Sequence, residues 1–219
     1  MAALVLASAS PARLETLRRA GIRPYVLVSG IDEDSVLVAA QASYGSLEPD
    51  EVPLVLARAK AEAVASVLDA DTAPADSPAD AIVLGCDSVL ELDGEVHGKP
   101  VDAAGATARW RRMSGRSGVL HTGHWVIDLR ADGGGATLGA VASTTVHFAD
   151  LSNAEIEAYV GTGEPLSVAG AFTTDGLGGA FVRGIEGDHH NVVGVSLPLL
   201  RTLLADCGVG WTSLWQAGR

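Results

Sequence analysis

The sequence is short of several residues that would by themselves suggest a function. It holds two cysteines in 219 residues, Cys86 and Cys207, far apart and outside any CxxC spacing. That excludes a disulfide framework and a zinc knuckle, and leaves buried, reduced thiols of a cytosolic protein as the expectation. Positive charge is scarce: 15 Lys+Arg stand against 27 Asp+Glu, for a formal net charge of −12 and a pI near 4.8. A nucleic-acid or anionic-membrane binder usually carries a basic face, so neither partner is expected. Long apolar runs are missing as well. The longest uncharged stretch, Gly133 to Ala149, is broken by Gly, Thr, Ser and His and does not read as a membrane span. The opening MAALVLASASPA lacks a basic n-region, and its apolar run is too short for a signal peptide, so the chain is read as cytoplasmic. Core-forming residues are plentiful: 47% hydrophobic and 19% charged exclude a disordered chain, and residues 1–219 are read as one domain.

Lysine is rarer still. Thirteen of the 15 basic residues are Arg, and only Lys60 and Lys99 are Lys. In a chain that otherwise uses Arg, two retained lysines suggest places that need a compact ammonium rather than a planar fork; chance is the plain alternative.

Periodicity and punctuation predict a mixed α/β sheet with flanking helices. Leu4–Ala7 and Tyr25–Ser29 read as short strands, and Ser10 caps a helix from Pro11 to about Ala20. Asp50–Leu68 carries a helical apolar stripe with Lys60 at its edge, followed by a Pro/Ala/Asp-rich loop, 69–80, expected to be mobile. Ala81–Cys86 reads as a central strand, and Val89–Leu92 and Glu95–His97 flank the Asp93-Gly94 hairpin turn. A helix over Ala103–Met113 precedes a second hairpin, Trp125–Leu129 with Ala140–Phe148. Ser152 and Glu155 form a capping box for a helix to Val160, and Ser196-Leu197-Pro198 opens the last helix, to about Leu204.

Four constellations carry candidate chemistry. Ser8-x-Ser10-Pro11-x-Arg13 places hydroxyls, backbone N–H groups and a guanidinium at a helix N-terminus, a cradle for an anion or simply a cap. Asp87 and Ser88 end the central strand, and the hairpin register puts Lys99 opposite Ser88, beside Asp87. That pair suits a general base or metal ligand next to a polyphosphate, or a structural ion pair. Gly94-x-x-x-Gly98-Lys99-Pro100 is one residue short of a Walker loop and has Pro where Ser or Thr is required, so a P-loop is rejected. Asp32, Glu33 and Asp34 are a carboxylate cluster, favoured as a solvated loop over a cation site. The glycines from Gly170 to Gly194 allow close backbone approach or tight turns, without the βαβ context of a dinucleotide fingerprint. His121, His124, His189 and His190 lack a third soft ligand in register and are read as satisfied or exposed.

In order along the chain, LVLASASPARLETLRRAGI, IDED, LARAKAEAV, GCDSVLELDGEVHGKP, MSGRSGVLHTGH, YVGTGEPLSVAGAF and GDHHNVVGVSLPLL resemble the Maf-like nucleoside triphosphate pyrophosphatases, the septum-formation-inhibitor-like proteins. The resemblance implies a Maf/ITPase-like fold with two lobes around a cleft, usually a homodimer. It implies hydrolysis of ribo- or deoxyribonucleoside triphosphates to monophosphate and pyrophosphate with Mg²⁺ or Mn²⁺. Housekeeping against modified nucleotides and a link to cell-division arrest come with it; the alternative is a nucleotide-binding division regulator with little catalysis. By the same resemblance Asp87 is the proton acceptor and Glu33 sits near the metal. Ser8, Arg13, Lys60 and Lys99 hold the triphosphate, while Ser88 and Asp175 stand where base preference is set. The chain departs from the family pattern at Gly118, at Ala12 and Val168, where two cations are lost and affinity is affected, and at Ser88 and Asp175, where Thr or Gln and a glutamine are the family's usual residues and base choice is affected.

Overall fold

The structure, a computed structural model, describes residues 2–70 and 73–215. Its elements run β1 (Ala3–Leu6), α1 (Pro11–Arg19), β2 (Tyr25–Val26), α2 (Glu33–Tyr44), α3 (Glu51–Asp69), β3 (Ala81–Leu92), β4 (Glu95–His97) and α4 (Ala103–Met113). They continue with β5 (Ser117–Asp128), β6 (Thr137–Phe148), α5 (Asn153–Gly161), β7 (Val182–Glu186), α6 (His189–Val193) and α7 (Leu197–Asp206). Short 3-10 turns fill much of the segment between α5 and β7 and follow α7.

Helix starts follow side-chain capping. Ser10, Asp32, Asp102, Ser152, Asp188 and Ser196 each accept a backbone N–H from the first turn of the helix that follows. The Ser152–Glu155 capping box is present in full. Two expectations need correction. The Asp32–Asp34 carboxylates do not form a loop: Asp32 caps α2, and Glu33 and Asp34 stand in its first turn, where the helix dipole favours negative charge. The strand expected to end near Cys86 continues unbroken to Leu92, because β5 pairs with it from Ile82 to Glu91. Of the 69–80 loop, residues 71–72 lie outside the described residues; the remainder turns at Pro74–Ser77, and Tyr25 Oη donates to Asp76.

The result is an α/β fold built on a mixed seven-stranded sheet of order β2-β1-β3-β5-β6-β7, with β4 also paired to β3. β1 pairs in parallel with both β2 and β3, and the other pairings are antiparallel. One consequence positions everything that follows. With β5 along one edge of β3, both β1 and β4 must use the other edge. β1 covers it only at 81–84 and β4 only at 90–92, so Asp87 and Ser88 lie where that edge has no strand neighbour.

Alternation along β3 divides the core at the same place. On one face Ile82, Leu84 and Cys86 pack with α1 and α7, and Leu90 and Leu92 pack with α4, α5 and Phe148. Ser88 stands between those clusters. On the opposite face Ala81 and Val83 pack under α3 with Ala61 and Val64. No helix among the described residues is long and apolar enough to cross a membrane.

Candidate active site

Two glycines bring α3 down onto the sheet. A Cβ at Gly85 would lie 2.1 Å from the Ala57 carbonyl oxygen, and one at Gly123 would lie 2.2 Å from that of Pro53. Neither distance is sterically possible, so the helix can approach this closely only over bare backbone. The approach carries Lys60, on the buried stripe of α3, over Asp87. Lys60 Nζ donates to Asp87 Oδ1 at 2.6 Å and to Glu33 Oε1 at 2.6 Å, joining β3, α2 and α3 through one ammonium. The Lys60 and Asp87 side chains are 11% and 13% exposed, whereas that of Glu33 is 51% exposed. Two carboxylates converging on one point, one of them open to solvent, form a hard-oxygen donor set that suits a divalent cation.

Ser88 faces the other way, towards Arg13. This guanidinium is buried, yet its partners are all neutral: Nε donates to the Gly194 carbonyl at 2.8 Å, Nη1 to Ser8 Oγ at 3.1 Å and Nη2 to Ser88 Oγ at 3.0 Å. It forms no ion pair among the described residues. A buried charge without a counter-charge is costly, and an arriving anion would relieve it. Of its five N–H groups, one on each terminal nitrogen remains for such an anion. Ser8 Oγ already accepts from Arg13 and from the Ser10 N–H at 3.2 Å, which leaves its own hydrogen to donate. α1 opens here with Pro11 and no acidic residue in its first turn, so its positive end is uncompensated.

The structure therefore gathers the sequence candidates into two groups on opposite faces of β3, Lys60–Asp87–Glu33 and Ser8–Arg13–Ser88. They meet at the open edge. Lys99 joins neither by any contact. The β3–β4 register runs as the turn dictates from Leu92–Glu95 to Leu90–His97 and stops there. Gly98 leaves the ladder, and its carbonyl accepts instead from the Gly170 N–H at 3.1 Å and from Arg109 at 2.6 Å. Lys99 is exposed and without a partner among the described residues, so the lysine beside Asp87 is Lys60. Asp87 also sits mid-strand, at a gap in one edge, rather than at a strand end. Asp175 is exposed on a loop that Glu164 anchors. The Glu164 carboxylate accepts from Tyr159 Oη at 2.9 Å, Thr173 Oγ1 at 2.6 Å and the N–H groups of Leu177 and Gly178, both at 3.0 Å. Burial works against its charge, but these donors outweigh burial and hold its carboxyl below the usual glutamate range.

Other groups near the site are structural. Burial pushes the Cys86 thiol up to about 12, so it is no nucleophile, and both cysteines are free and buried. Burial pushes His124 down to about 4; its neutral ring pairs Nδ1 with the Thr122 carbonyl and accepts the Ser196 N–H at Nε2. His121 bridges Ser143 and Glu91, as expected of a satisfied histidine. His189 is exposed and His190 pairs with Asp188, with ligand atoms of all three within 4.8 Å of one another.

A sheet edge flanked by a lysine-bridged carboxylate pair and an arginine with no ion pair among the described residues is the kind of arrangement that suits a polyanion beside acid–base groups. Residues 3–207 match the family described as Maf-like protein, and the chain belongs to that family. It is similar to the nucleoside triphosphate pyrophosphatase of Salinispora tropica, at 58% identity over 98% of this chain and 88% of the relative. It is also similar to the proteins of the same name from Streptomyces coelicolor, at 53% over 97% and 94%, and Leifsonia xyli subsp. xyli, at 50% over 97% and 96%.

Proposed function

We propose that the protein hydrolyses nucleoside 5′-triphosphates to the monophosphate and pyrophosphate. The observation that carries this is the buried Arg13, held by neutral acceptors alone, at the same open edge as the Lys60–Asp87–Glu33 group. A triphosphate laid across that edge meets Lys60 and Asp87 from one face of β3 and Arg13 from the other. The two free N–H groups of Arg13, the Ser8 hydroxyl and the positive end of α1 bind phosphate oxygens. Lys99, exposed and without a partner among the described residues, adds an ammonium from the β4 side.

Asp87 takes the proton of the attacking water, and Lys60 holds that carboxylate in place and answers the charge growing on the departing pyrophosphate. Glu33 and Asp87 would hold a divalent cation, Mg²⁺ or Mn²⁺, which when bound supplies charge neutralisation at the phosphate oxygens. The net acidity of the chain does not oppose this, because the field inside a cleft is local. Base choice falls to the loop carrying Asp175. On this reading residues 1–219 work as one catalytic domain in the cytoplasm, and as a homodimer, the usual state implied by the resemblance.

Pyrophosphate release from a panel of canonical and modified triphosphates, with Mg²⁺ or Mn²⁺, tests the proposal. Stoichiometric monophosphate and pyrophosphate support it. Tight nucleotide binding without release would make the protein a nucleotide-binding regulator instead.

A further inference from the structure

Arg13 must be aimed as well as buried, and the groups that hold it lie beyond it in the fold. Thr122 on β5 is the cross-strand neighbour of Ser88 and is fully buried. A hydroxyl has one hydrogen, and that of Thr122 goes to the Asn191 carbonyl at 3.1 Å. In the 2.9 Å contact between Ser88 and Thr122 the donor is therefore Ser88. This sets the direction of a relay: Arg13 N–H to Ser88, Ser88 O–H to Thr122, Thr122 O–H to the backbone of α6.

The same short helix returns to Arg13. Its C-terminal neighbour Gly194 accepts from Arg13 Nε, and the two hydrogens of its Asn191 amide are shared among three acceptors, the Leu120 and Ala142 carbonyls and Thr144 Oγ1. Thr144 in turn donates to the Asp188 carbonyl at 3.1 Å. α6 is thus fastened to β5 and β6 by two threonine hydroxyls and one buried amide. Thr122 belongs to both routes that fix the guanidinium, through Ser88 and through α6.

We propose that Thr122 is a positioning residue of the active site: with Ser88 and Asn191 it fixes the Arg13 guanidinium so that its two remaining N–H groups face the substrate phosphates. Ser88 accordingly serves Arg13, and its single hydrogen is not free to read a base. The proposal rests on the phosphate-binding reading of Arg13.

The test compares Thr122→Val, which keeps shape and removes the hydroxyl, with Thr122→Ser, which restores it. Kinetics with a nucleoside triphosphate and calorimetry with inorganic pyrophosphate supply two independent readouts. Thr122 itself touches no charge, so the Val variant acts by releasing Ser88 and α6 from their places. A loss of about 1.4 kcal/mol in the alignment of Arg13 should raise both KM and the pyrophosphate Kd about tenfold. We expect kcat to fall less than threefold, and Thr122→Ser to return both constants to within about twofold of wild type. Ser88→Ala reaches the same relay from a half-buried position and remains informative if Thr122→Val fails to fold. The Val and Ala effects should not add, since both cut one chain. Unchanged KM and Kd in either folded variant, or additive effects in the double variant, would overturn the proposal. Arg13→Lys separates the two readings: an unchanged pyrophosphate Kd there removes the phosphate role itself, whatever Thr122 does.

Discussion

Replacing Asp87 by Asn removes the proton acceptor, because the amide keeps the shape and one oxygen that can still face a cation, more weakly than a carboxylate, but cannot take a proton from water. Lys60 retains Glu33 as a counter-charge at 2.6 Å, so no buried ammonium is orphaned. The fold should therefore escape the roughly 3–5 kcal/mol cost of stranding one member of a buried pair. A loss near 1 kcal/mol is expected, about 2–4 °C in Tm for a chain of this size. Turnover should suffer far more. Removing a positioned general base costs about 10²–10⁴ in rate, or about 3–5 kcal/mol on the barrier. Triphosphate binding should persist, because Arg13, Ser8 and the start of α1 are untouched on the other face of β3. Coupled pyrophosphate detection measures kcat and KM, calorimetry measures nucleotide binding, and a thermal melt verifies the fold. Activity within threefold of wild type would remove Asp87 from the mechanism; loss of binding in step with activity would leave it a ligand alone, without a part in proton transfer.

The two lysines should separate in stability as well as activity. Lys60→Ala leaves Asp87 buried without its lysine partner and should cost about 3–5 kcal/mol of stability along with kcat/KM. Lys99→Ala should lower kcat/KM and leave Tm within about a degree, and Arg58→Ala, an exposed partner of Glu62 stacked on Trp125, should change kcat/KM least. Equal kcat/KM in all three would defeat the argument from lysine scarcity. His124 makes stability depend on pH. Its folded pKa of about 4 lies below the ordinary value of 6.5, so the unfolded chain binds the extra proton first. That contribution, about 3 kcal/mol, is complete above pH 6.5 and is lost as pH falls towards 4; a His124 ring signal titrating near 6.5 by NMR would contradict it. For specificity, an acceptor-only carboxylate at Asp175 should make the enzyme less selective for UTP and dTTP than relatives with Thr and Gln at positions 88 and 175. Ser88→Thr with Asp175→Gln should raise that preference by about 1–3 kcal/mol, with Asp175→Gln alone carrying the gain because the Ser88 hydrogen is committed to Thr122. Strong native preference for UTP and dTTP in a kinetic panel, or no shift in the double variant, sinks that argument.

Local physics decided much of this protein from sequence alone. Capping residues marked the starts of α1, α5 and α7 because a cap acts through its own side chain on the next three residues. Asp93-Gly94 set the β3–β4 register because a two-residue turn leaves no freedom. α2 was legible by the same cap rule at Asp32, but three adjacent carboxylates drew attention to charge instead. The candidate residues were legible as residue types in an ordered set of motifs, and their groupings were not. Lys99 is near Asp87 in any extrapolated hairpin, yet the ladder ends at His97, and Gly85 and Gly123 let α3 deliver Lys60 in its place. Adjacent residues on a strand face opposite sides, which separates Asp87 from Ser88. Which helix waits on each side depends on contacts between segments far apart in the chain, as does the length of edge that β1 leaves open. Thr122 and Glu164 lie inside the quoted motifs and Gly194 closes the glycine-rich stretch, yet the sequence showed no role for any of them for the same reason: each acts through partners that only the fold brings within hydrogen-bonding distance.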